Sequence, residues 1–102
     1  MSWFRTCVAR LLWGNREQIT HVQNTYKPFD VIIGSDLLYD PKNYRNLLCT
    51  ILQLDEKDTL IIFGGTRRHL EQQFLKLAEQ YYDISSQDLD TKNTYVFHLV
   101  RK

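Results

Sequence analysis

The apolar residues are arranged along the chain in two patterns, and the first pattern predicts strands. Residues 29–34 and 59–63 contain the continuous apolar runs 31–33 and 60–63, which are rich in β-branched side chains. Such runs are typical of strands covered on both faces, as in a parallel sheet. Residues 7–12 predict an earlier strand, which ends at Trp13-Gly14. The polar segment at residues 15–27 has no strong period and is expected to be a connection.

The second pattern is a helical period in two later segments. One begins at Asp40-Pro41, where the aspartate can cap the helix and the proline suits its first position. Its apolar face consists of Tyr44, Leu47, Leu48, Ile51 and Leu52. The other follows Gly64-Gly65, which should end the preceding strand, and Thr66 is expected to cap it. Its apolar face consists of Leu70, Phe74, Leu77, Ala78 and Tyr81.

The C-terminal part of the chain predicts a hairpin. Residues 82–85 and 94–100 have strand character, and polar, turn-forming residues at 87–93 separate them. Since no helix lies between them, they should form an antiparallel pair. The whole order of elements predicts an α/β fold in which the sheet is mostly parallel, with right-handed crossovers, and ends in a C-terminal antiparallel hairpin.

Composition narrows the class of protein. The chain has 102 residues, of which 43% are hydrophobic and 25% charged, and a net charge of +1. This length predicts one small domain with an ordinary core. The apolar runs are far shorter than the roughly 20 residues that a membrane span needs, so no membrane association is expected. No basic stripe with interleaved aromatic residues is present, so nucleic acid is not expected as a partner.

The N-terminal segment leaves two locations open. A cytoplasmic and/or nuclear protein is the first expectation, because no apolar signal segment with a cleavage site is present. Residues 1–16, however, contain Arg5, Arg10 and Arg16 and no acid, a composition that is compatible with a mitochondrial presequence.

The sequence predicts neither a phosphate-binding loop nor a metal site. It contains no G-x-G-x-x-G or Walker-type sequence and no G-x-S-x-G nucleophile elbow. Cys7 and Cys49 have no metal-ligand spacing, and the three histidines are scattered. We expect both cysteines to pack as small buried hydrophobes.

Candidate chemistry is concentrated in residues 34–41, Gly-Ser-Asp-Leu-Leu-Tyr-Asp-Pro. They follow a buried strand, and ligands of open α/β sheets bind outside the carboxyl ends of strands. Asp36 and Tyr39, three residues apart, can face a common pocket there. The alternative interpretation is structural: Asp36 and Asp40 would be loop and cap residues, and Tyr39 would pack under the helix.

Residues 29–41 resemble the fourth-strand region of the class I, seven-β-strand protein-lysine methyltransferases of the methyltransferase-like, family 16 type. That strand ends in a small residue, followed by an acid, two residues and an aromatic, and Asp36-Leu37-Leu38-Tyr39 matches this pattern. Residues 8–14 are similar to the third strand of the family, which ends in Trp-Gly or Asp-Trp. The resemblance extends from about residue 8 to residue 102 and implies a partial, Rossmann-like class I methyltransferase sheet.

The resemblance also implies an activity and roles for four residues. The activity is transfer of a methyl group from S-adenosylmethionine to a lysine of a protein substrate. Trp13 would pack against the adenine, and Ser35 would line the cofactor site through its backbone. Asp36 and Tyr39 would be catalytic residues near the methyl group and the substrate amine. Leu12 stands where the family often has an aspartate, so no polar contact to the adenine amino group is expected from that position.

The family's Gly-rich turn and ribose-binding acid precede its third strand, and the 102 residues contain neither. We therefore expect residues 1–102 to form a single, partial methyltransferase domain, a truncated chain that binds S-adenosylmethionine weakly or not at all. The alternative is a non-catalytic fragment or isoform that acts as a protein-binding module. A third hypothesis is an unrelated nucleotide-binding α/β domain.

The partial sheet also predicts a free edge. Without the strands that separate the third and fourth in the family, residues 31–33 would present an unpaired hydrophobic edge. Residues 7–12 could pair with it. Another chain could do so as well, and self- or hetero-association is therefore expected at this edge.

Overall fold

The computed structural model describes residues 9, 11–26, 28–66, 70–86 and 93–102. In chain order, the elements are α1 (Arg16–Tyr26), β1 (Val31–Ser35), a 3-10 helix (Pro41–Asn43), α2 (Tyr44–Leu54), β2 (Leu60–Thr66), α3 (Glu71–Ala78), β3 (Tyr82–Ser86) and β4 (Thr94–Arg101). Within these described ranges, no helix is both long and apolar enough to cross a membrane.

The four strands form one mixed sheet in the order β1-β2-β4-β3. β1 and β2 are parallel, with Ile33 opposite Ile62. β4 is antiparallel to both β2 and β3. The expectation of a mostly parallel sheet is therefore wrong. The C-terminal hairpin forms as predicted, but β4 lies between β2 and β3, so the hairpin contributes an antiparallel pairing on each side of β4.

The predicted strand at residues 7–12 does not contribute a further parallel pairing to the described sheet. Residues 7, 8 and 10 lie outside the described residues, and Ala9, Leu11 and Leu12 are not in a strand. Trp13 and Gly14 form a turn. Pairing of this segment with β1 stays a prediction, and β2 is the neighbour of β1 within the described sheet.

The segment predicted to be a connection is the helix α1. The Asn15 side chain accepts a hydrogen bond from the backbone N–H of Gln18 at 3.0 Å, which satisfies one of the free donors at the helix start. Ile19 and Val22 are buried on one side and pack with Leu54 at the end of α2. Because only a few apolar residues repeat on this polar helix, tertiary packing supplies most of the stabilisation.

The helix predicted after Asp40-Pro41 is confirmed, with a tighter first turn. Asp40 Oδ1 accepts the backbone N–H of Lys42 at 3.1 Å, and the chain makes a 3-10 turn before α2 begins at Tyr44. The predicted apolar face of α2 is turned to the core: Leu52 is half-buried, and the buried members are Tyr44, Leu47, Leu48 and Ile51.

The expectation that both cysteines are buried is wrong for Cys49, which is exposed on α2. Cys7 lies outside the described residues.

Two expectations at the end of β2 are wrong. β2 continues through Gly64 and Gly65 to Thr66, because β4 pairs with it along the whole length, up to Thr66 opposite Thr94. Thr66 therefore lies in a strand and does not cap α3. Leu70 occupies the cap position of α3 and makes no side-chain capping hydrogen bond.

The described helices pack on one face of the sheet. The main core joins α2 and α3 to alternate strand residues that include Ile61, Phe63, Phe97 and Leu99. Ile32 contacts both this core and the smaller cluster around α1. The opposite sheet face is exposed: Val31, Ile33 and Val100 keep 48%, 75% and 43% of their surface accessible. We call this surface the open sheet face.

A buried network closes the end of the sheet where β2 begins and β4 ends. The Asp55 side chain is fully buried. One of its oxygens accepts the hydroxyl of Tyr82 at 2.8 Å, and the other accepts the Arg101 guanidinium at 2.7 Å. Burial, then the hydrogen bond and negative charge of Asp55, raise the pKa of Tyr82 well above its ordinary value. This network ties the end of α2 to both strands of the hairpin.

Candidate functional site

The candidate site is a loop at the carboxyl end of β1, and its shape depends on an unusual backbone angle. Asp36 has φ 54°, in the left-handed region that few residues other than glycine adopt, although aspartate tolerates it better than most. Its backbone N–H donates to the carbonyl of Gly64 at 2.9 Å, which continues the contact between β1 and β2. The left-handed turn thus directs the chain, and the carboxylate with it, towards the end of β2.

The end of β2 holds the Asp36 carboxylate through the backbone. The N–H of Thr66 donates to Asp36 Oδ1 at 3.0 Å. At the preceding residue, Gly65, an added Cβ would lie 2.5 Å from Asp36 Oδ1 and 3.1 Å from the backbone N of Asp36. Only glycine leaves room for the carboxylate at this place. Gly65 is therefore needed for the position of Asp36, although the sequence alone suggested that it ends a strand.

Beneath the loop lies a layer of buried polar side chains. Tyr95, Tyr44 and Glu71 keep 3%, 1% and 0% of their surface accessible. Burial raises the pKa of Tyr95, the negative charges of Glu71 and Asp36 raise it further, and a backbone hydrogen bond with Leu38 opposes this. Burial, followed by Glu71 and Asp40, likewise raises the pKa of Tyr44. Both phenols therefore stay protonated at neutral pH.

The sequence analysis missed this polar layer. Tyr95 alternates with Phe97 and Leu99 along β4 and has the pattern of an ordinary core residue. Glu71 begins α3, where an acid is usual and exposed. Only the register, which places Tyr95 opposite Gly65, brings these groups to the loop.

Tyr39 lies on the solvent side of the same loop as Asp36. It keeps 57% of its surface accessible, whereas Leu38 keeps 2% and enters the core. The alternative in which Tyr39 packs under the helix is therefore wrong, and Leu38 has that position. Ser35, the last residue of β1, pairs with Gly64 and is also exposed. The structure thus brings Ser35, Asp36 and Tyr39 together on one exposed loop.

Trp13 belongs to a separate segment, which is attached to α2. It lies in the turn before α1 and keeps 37% of its surface accessible. The next residue, Gly14, has φ 82°, and its N–H donates to Thr50 Oγ1 at 2.8 Å. A Cβ at Gly14 would lie 2.9 Å from Asn46 Oδ1. These contacts place Trp13 beside the first half of α2, and none of them joins it to the loop of Ser35 and Asp36.

The described residues do not assemble a metal centre. Across the part of the chain that the structure describes, no group of three or more His, Cys, Asp or Glu side chains is placed to hold a metal ion. The chemistry available at the loop is that of the Asp36 carboxylate, the exposed Tyr39 phenol and backbone amides, since the second carboxylate of the loop, that of Asp40, caps the following helix. Such groups can bind and orient a cationic or amine-bearing substrate.

Comparison with a solved structure first indicates the class of fold. A solved structure of a Pseudomonas syringae protein assigned as a methyltransferase superposes with a TM-score of 0.52 over 76% of this chain and 51% of that one. The two sequences are 14% identical, so the likeness concerns the fold alone. The mixed α/β sheet with the Asp36 loop at a strand end is thus part of a methyltransferase fold.

Sequence comparison then identifies the family. The sequence profile of the lysine methyltransferase family matches residues 5–81, and the chain belongs to this family. The protein N-lysine methyltransferase METTL21A of Xenopus tropicalis is 28% identical over 101 residues, which cover 98% of this chain and 43% of the frog protein. The chain therefore spans less than half the length of this curated relative. The resemblance seen in the sequence is confirmed, and an unrelated nucleotide-binding domain is excluded.

Proposed function

We propose that this chain forms the substrate-facing part of a protein-lysine N-methyltransferase that uses S-adenosylmethionine. The observation that carries the proposal is the Asp36 carboxylate, held in a left-handed turn at the end of β1 by the N–H of Thr66. Tyr39 lies exposed on the same loop. Family membership and the printed activity of the frog relative support lysine as the acceptor.

Asp36 and Tyr39 act on the substrate amine. The Asp36 carboxylate attracts the lysine side chain and accepts a hydrogen bond from its nitrogen, which fixes the direction of the lone pair. The same negative charge stabilises the positive charge that develops on the nitrogen as it forms its new bond. The phenol of Tyr39 can accept a second hydrogen bond. Positioning of this kind contributes on the order of 7–11 kcal/mol to catalysis when the geometry is near attack.

The residues that we propose for the cofactor are Trp13 and Ser35. Trp13 presents an accessible aromatic ring, which suits an adenine, and Ser35 offers its backbone beside the Asp36 carboxylate. When bound, S-adenosylmethionine supplies a methyl group on a positively charged sulfur. Because the 102 residues contain no Gly-rich G-x-G-x-x-G loop, we propose that this chain alone holds the cofactor weakly.

Calorimetric titration with S-adenosylmethionine tests the cofactor part of the proposal. We expect weak or undetectable binding to the wild-type chain. Micromolar binding that Trp13→Ala abolishes would overturn the view of a partial cofactor site and would establish Trp13 as a contact.

A methyl-transfer assay tests the catalytic part. The chain is incubated with methyl-labelled S-adenosylmethionine at millimolar concentration and with unmodified cell proteins, and labelled lysine is measured. Asp36→Asn should abolish the label, whereas Asp40→Asn, which changes a neighbouring aspartate of the same loop, should leave most of it. Equal labelling by both variants would remove Asp36 from the site.

The open sheet face favours a second function, that of a non-catalytic protein-binding module. Ile33 and Val31 are far more exposed than strand residues of a two-sided sheet usually are. If the chain does not transfer methyl groups, we expect it to associate through this face. Sedimentation of the wild-type chain and of Ile33→Lys tests this: only the wild-type chain should associate, and a monomeric wild-type chain would contradict self-association.

A further inference from the structure

The side chain of Tyr95 lies next to the Asp36 carboxylate, although the two residues are far apart in the sequence. Tyr95 is paired with Gly65 across β2 and β4. The point where a Gly65 Cβ would stand lies 2.5 Å from Asp36 Oδ1 and 3.1 Å from the Tyr95 hydroxyl oxygen. The missing side chain of Gly65 thus leaves one small space, with the carboxylate and the phenol both beside it.

Tyr95 is also fixed by the core. It keeps only 3% of its surface accessible, and its ring stacks on Phe97 with a centroid distance of 5.1 Å and an interplanar angle of 26°. The backbone N–H of Leu38 faces its hydroxyl oxygen and opposes the rise in the pKa of Tyr95. The rigid side chain of Tyr95 therefore extends from the core to the loop and approaches it both at Asp36 and at Leu38.

We propose that Tyr95 is a positioning residue that holds the loop of residues 36–38 in the conformation in which Asp36 faces the substrate amine. This inference rests on the proposed role of Asp36. Tyr95 does not contact substrate or cofactor in this proposal; it acts by fixing the loop. Thr66 holds the carboxylate from the end of β2, and Tyr95 holds the same loop from β4.

The charge state of Tyr95 agrees with this role. Its pKa is raised by burial, then by Glu71, Asp36 and Tyr44, so the hydroxyl keeps its proton at every pH at which the enzyme would work. Because the Tyr95 phenol is neutral, the Asp36 carboxylate supplies the negative charge on the exposed side of the loop of residues 36–38. The variant Tyr95→Phe removes only the hydroxyl and keeps the stacked ring.

An NMR comparison at neutral pH tests the contact without any need for activity. The chain is labelled with 13C at the tyrosine Cζ atoms, and Tyr95→Phe identifies the Tyr95 signal. Asp36→Asn removes a charge next to the phenol and should shift the Tyr95 signal, whereas Asp40→Asn should leave it in place. An unchanged Tyr95 signal in Asp36→Asn would overturn the inference.

Kinetics then separate positioning from mere stability. In the methyl-transfer assay, Tyr95→Phe should lower kcat about tenfold, the effect of one lost hydrogen bond, and leave KM for S-adenosylmethionine unchanged. Tyr81→Phe, at an exposed tyrosine, is the matched control and should have wild-type kcat. Wild-type kcat in Tyr95→Phe would overturn the inference.

The two experiments fail in different ways. If the wild-type chain transfers no methyl group, the proposed function fails, but the NMR comparison of wild type with Asp36→Asn still shows whether Tyr95 lies next to Asp36. If the chain is active and Asp36→Asn is inactive while Tyr95 shows no coupling, the proposed function stands and the positioning role is wrong.

Discussion

Asp36 and Asp55 lie at opposite ends of the same sheet and illustrate two uses of a carboxylate. Asp55 is fully buried and accepts hydrogen bonds from Tyr82 and Arg101. Asp36 is exposed, lies in a left-handed conformation, and accepts a backbone N–H from Thr66. The Asp55 carboxylate is hydrogen-bonded inside the fold. The Asp36 carboxylate is exposed to solvent, and its backbone is strained by the left-handed conformation.

The difference supports the proposal that Asp36, and not Asp55, belongs to the site. A buried carboxylate with two strong partners joins elements of the fold, and breaking such a pair is expensive. An unfavourable backbone angle at an exposed acid, by contrast, is typical of functional loops. Residue type alone gives no sign of this, since both aspartates follow directly after a regular element in the sequence.

The largest effect should come from removing the buried carboxylate. Asp55→Ala leaves the Arg101 guanidinium and the Tyr82 hydroxyl without their partner, so we expect a loss of about 3–5 kcal/mol in the free energy of unfolding. Asp36→Ala should change this free energy by less than about 1 kcal/mol. Urea unfolding of both variants checks the contrast, and equal losses would show that the two aspartates do not differ as the structure indicates.

An alanine at Gly65 should affect stability and site together. Its Cβ would meet Asp36 Oδ1 and the backbone N of the same residue, so Gly65→Ala should cost about 1–3 kcal/mol of stability and displace the carboxylate. Gly64→Ala is the matched control, because its Cβ would approach no closer than 3.3 Å to the Tyr95 carbonyl oxygen. Thermal unfolding and the methyl-transfer assay should both rank Gly65→Ala below Gly64→Ala. The reverse order would contradict the site geometry.

At alkaline pH, Tyr82 and Tyr95 at the two ends of the sheet should lower the free energy of unfolding by a smaller amount that grows with pH. The pKa of Tyr82 and that of Tyr95 are raised in the folded chain, so above pH 10 the unfolded chain loses these protons first and stability falls. Each tyrosine contributes a slope of at most about 1.4 kcal/mol per pH unit there, and none below that pH. Tyr82→Phe and Tyr95→Phe should each flatten the decline measured by urea unfolding, and an unchanged slope in either variant would contradict the raised pKa of that tyrosine.

The smallest effect should be a gain. Asp36→Gly relieves the left-handed conformation, and we expect it to stabilise the chain by up to about 1 kcal/mol while methyl transfer is lost. Asp40→Gly, at a residue with extended backbone, offers no such relief and should not stabilise. Thermal unfolding decides between them; a destabilised Asp36→Gly would mean that the carboxylate stabilises the loop more than the backbone angle strains it.

The sequence predicted those elements whose pattern is local. The apolar period of α2, the cap at Asp40 and the buried runs of β1 and β2 all depend on neighbours within a few residues, and they were found. The helix α1 was missed because Ile19 and Val22 are its only buried residues. The expectation of a mostly parallel sheet was wrong because the insertion of β4 between β2 and β3 is a tertiary choice that no local pattern records.

The same contrast between local patterns and long-range pairing applies to the candidate site. Asp36 and Tyr39 became candidates because they follow a strand end, where α/β sheets place their ligands. The supporting groups, Gly65 and Tyr95, were missed because only the pairing of β2 with β4 brings them to the loop. Their sequence signals, a glycine within a strand and an alternating aromatic, are shared by many residues without a functional role.

The position of β1 has a consequence for motion. Within the described sheet, β1 has hydrogen bonds to β2 alone, whereas β2 and β4 each lie between two strands. Opening of β1 therefore breaks one ladder and costs less free energy than global unfolding. Its amides should exchange with deuterium before those of β4, and the Asp36 loop should open with them as one cooperative unit. The chain thus carries its candidate catalytic group beside an edge strand, which opens more easily than the central strands of the sheet.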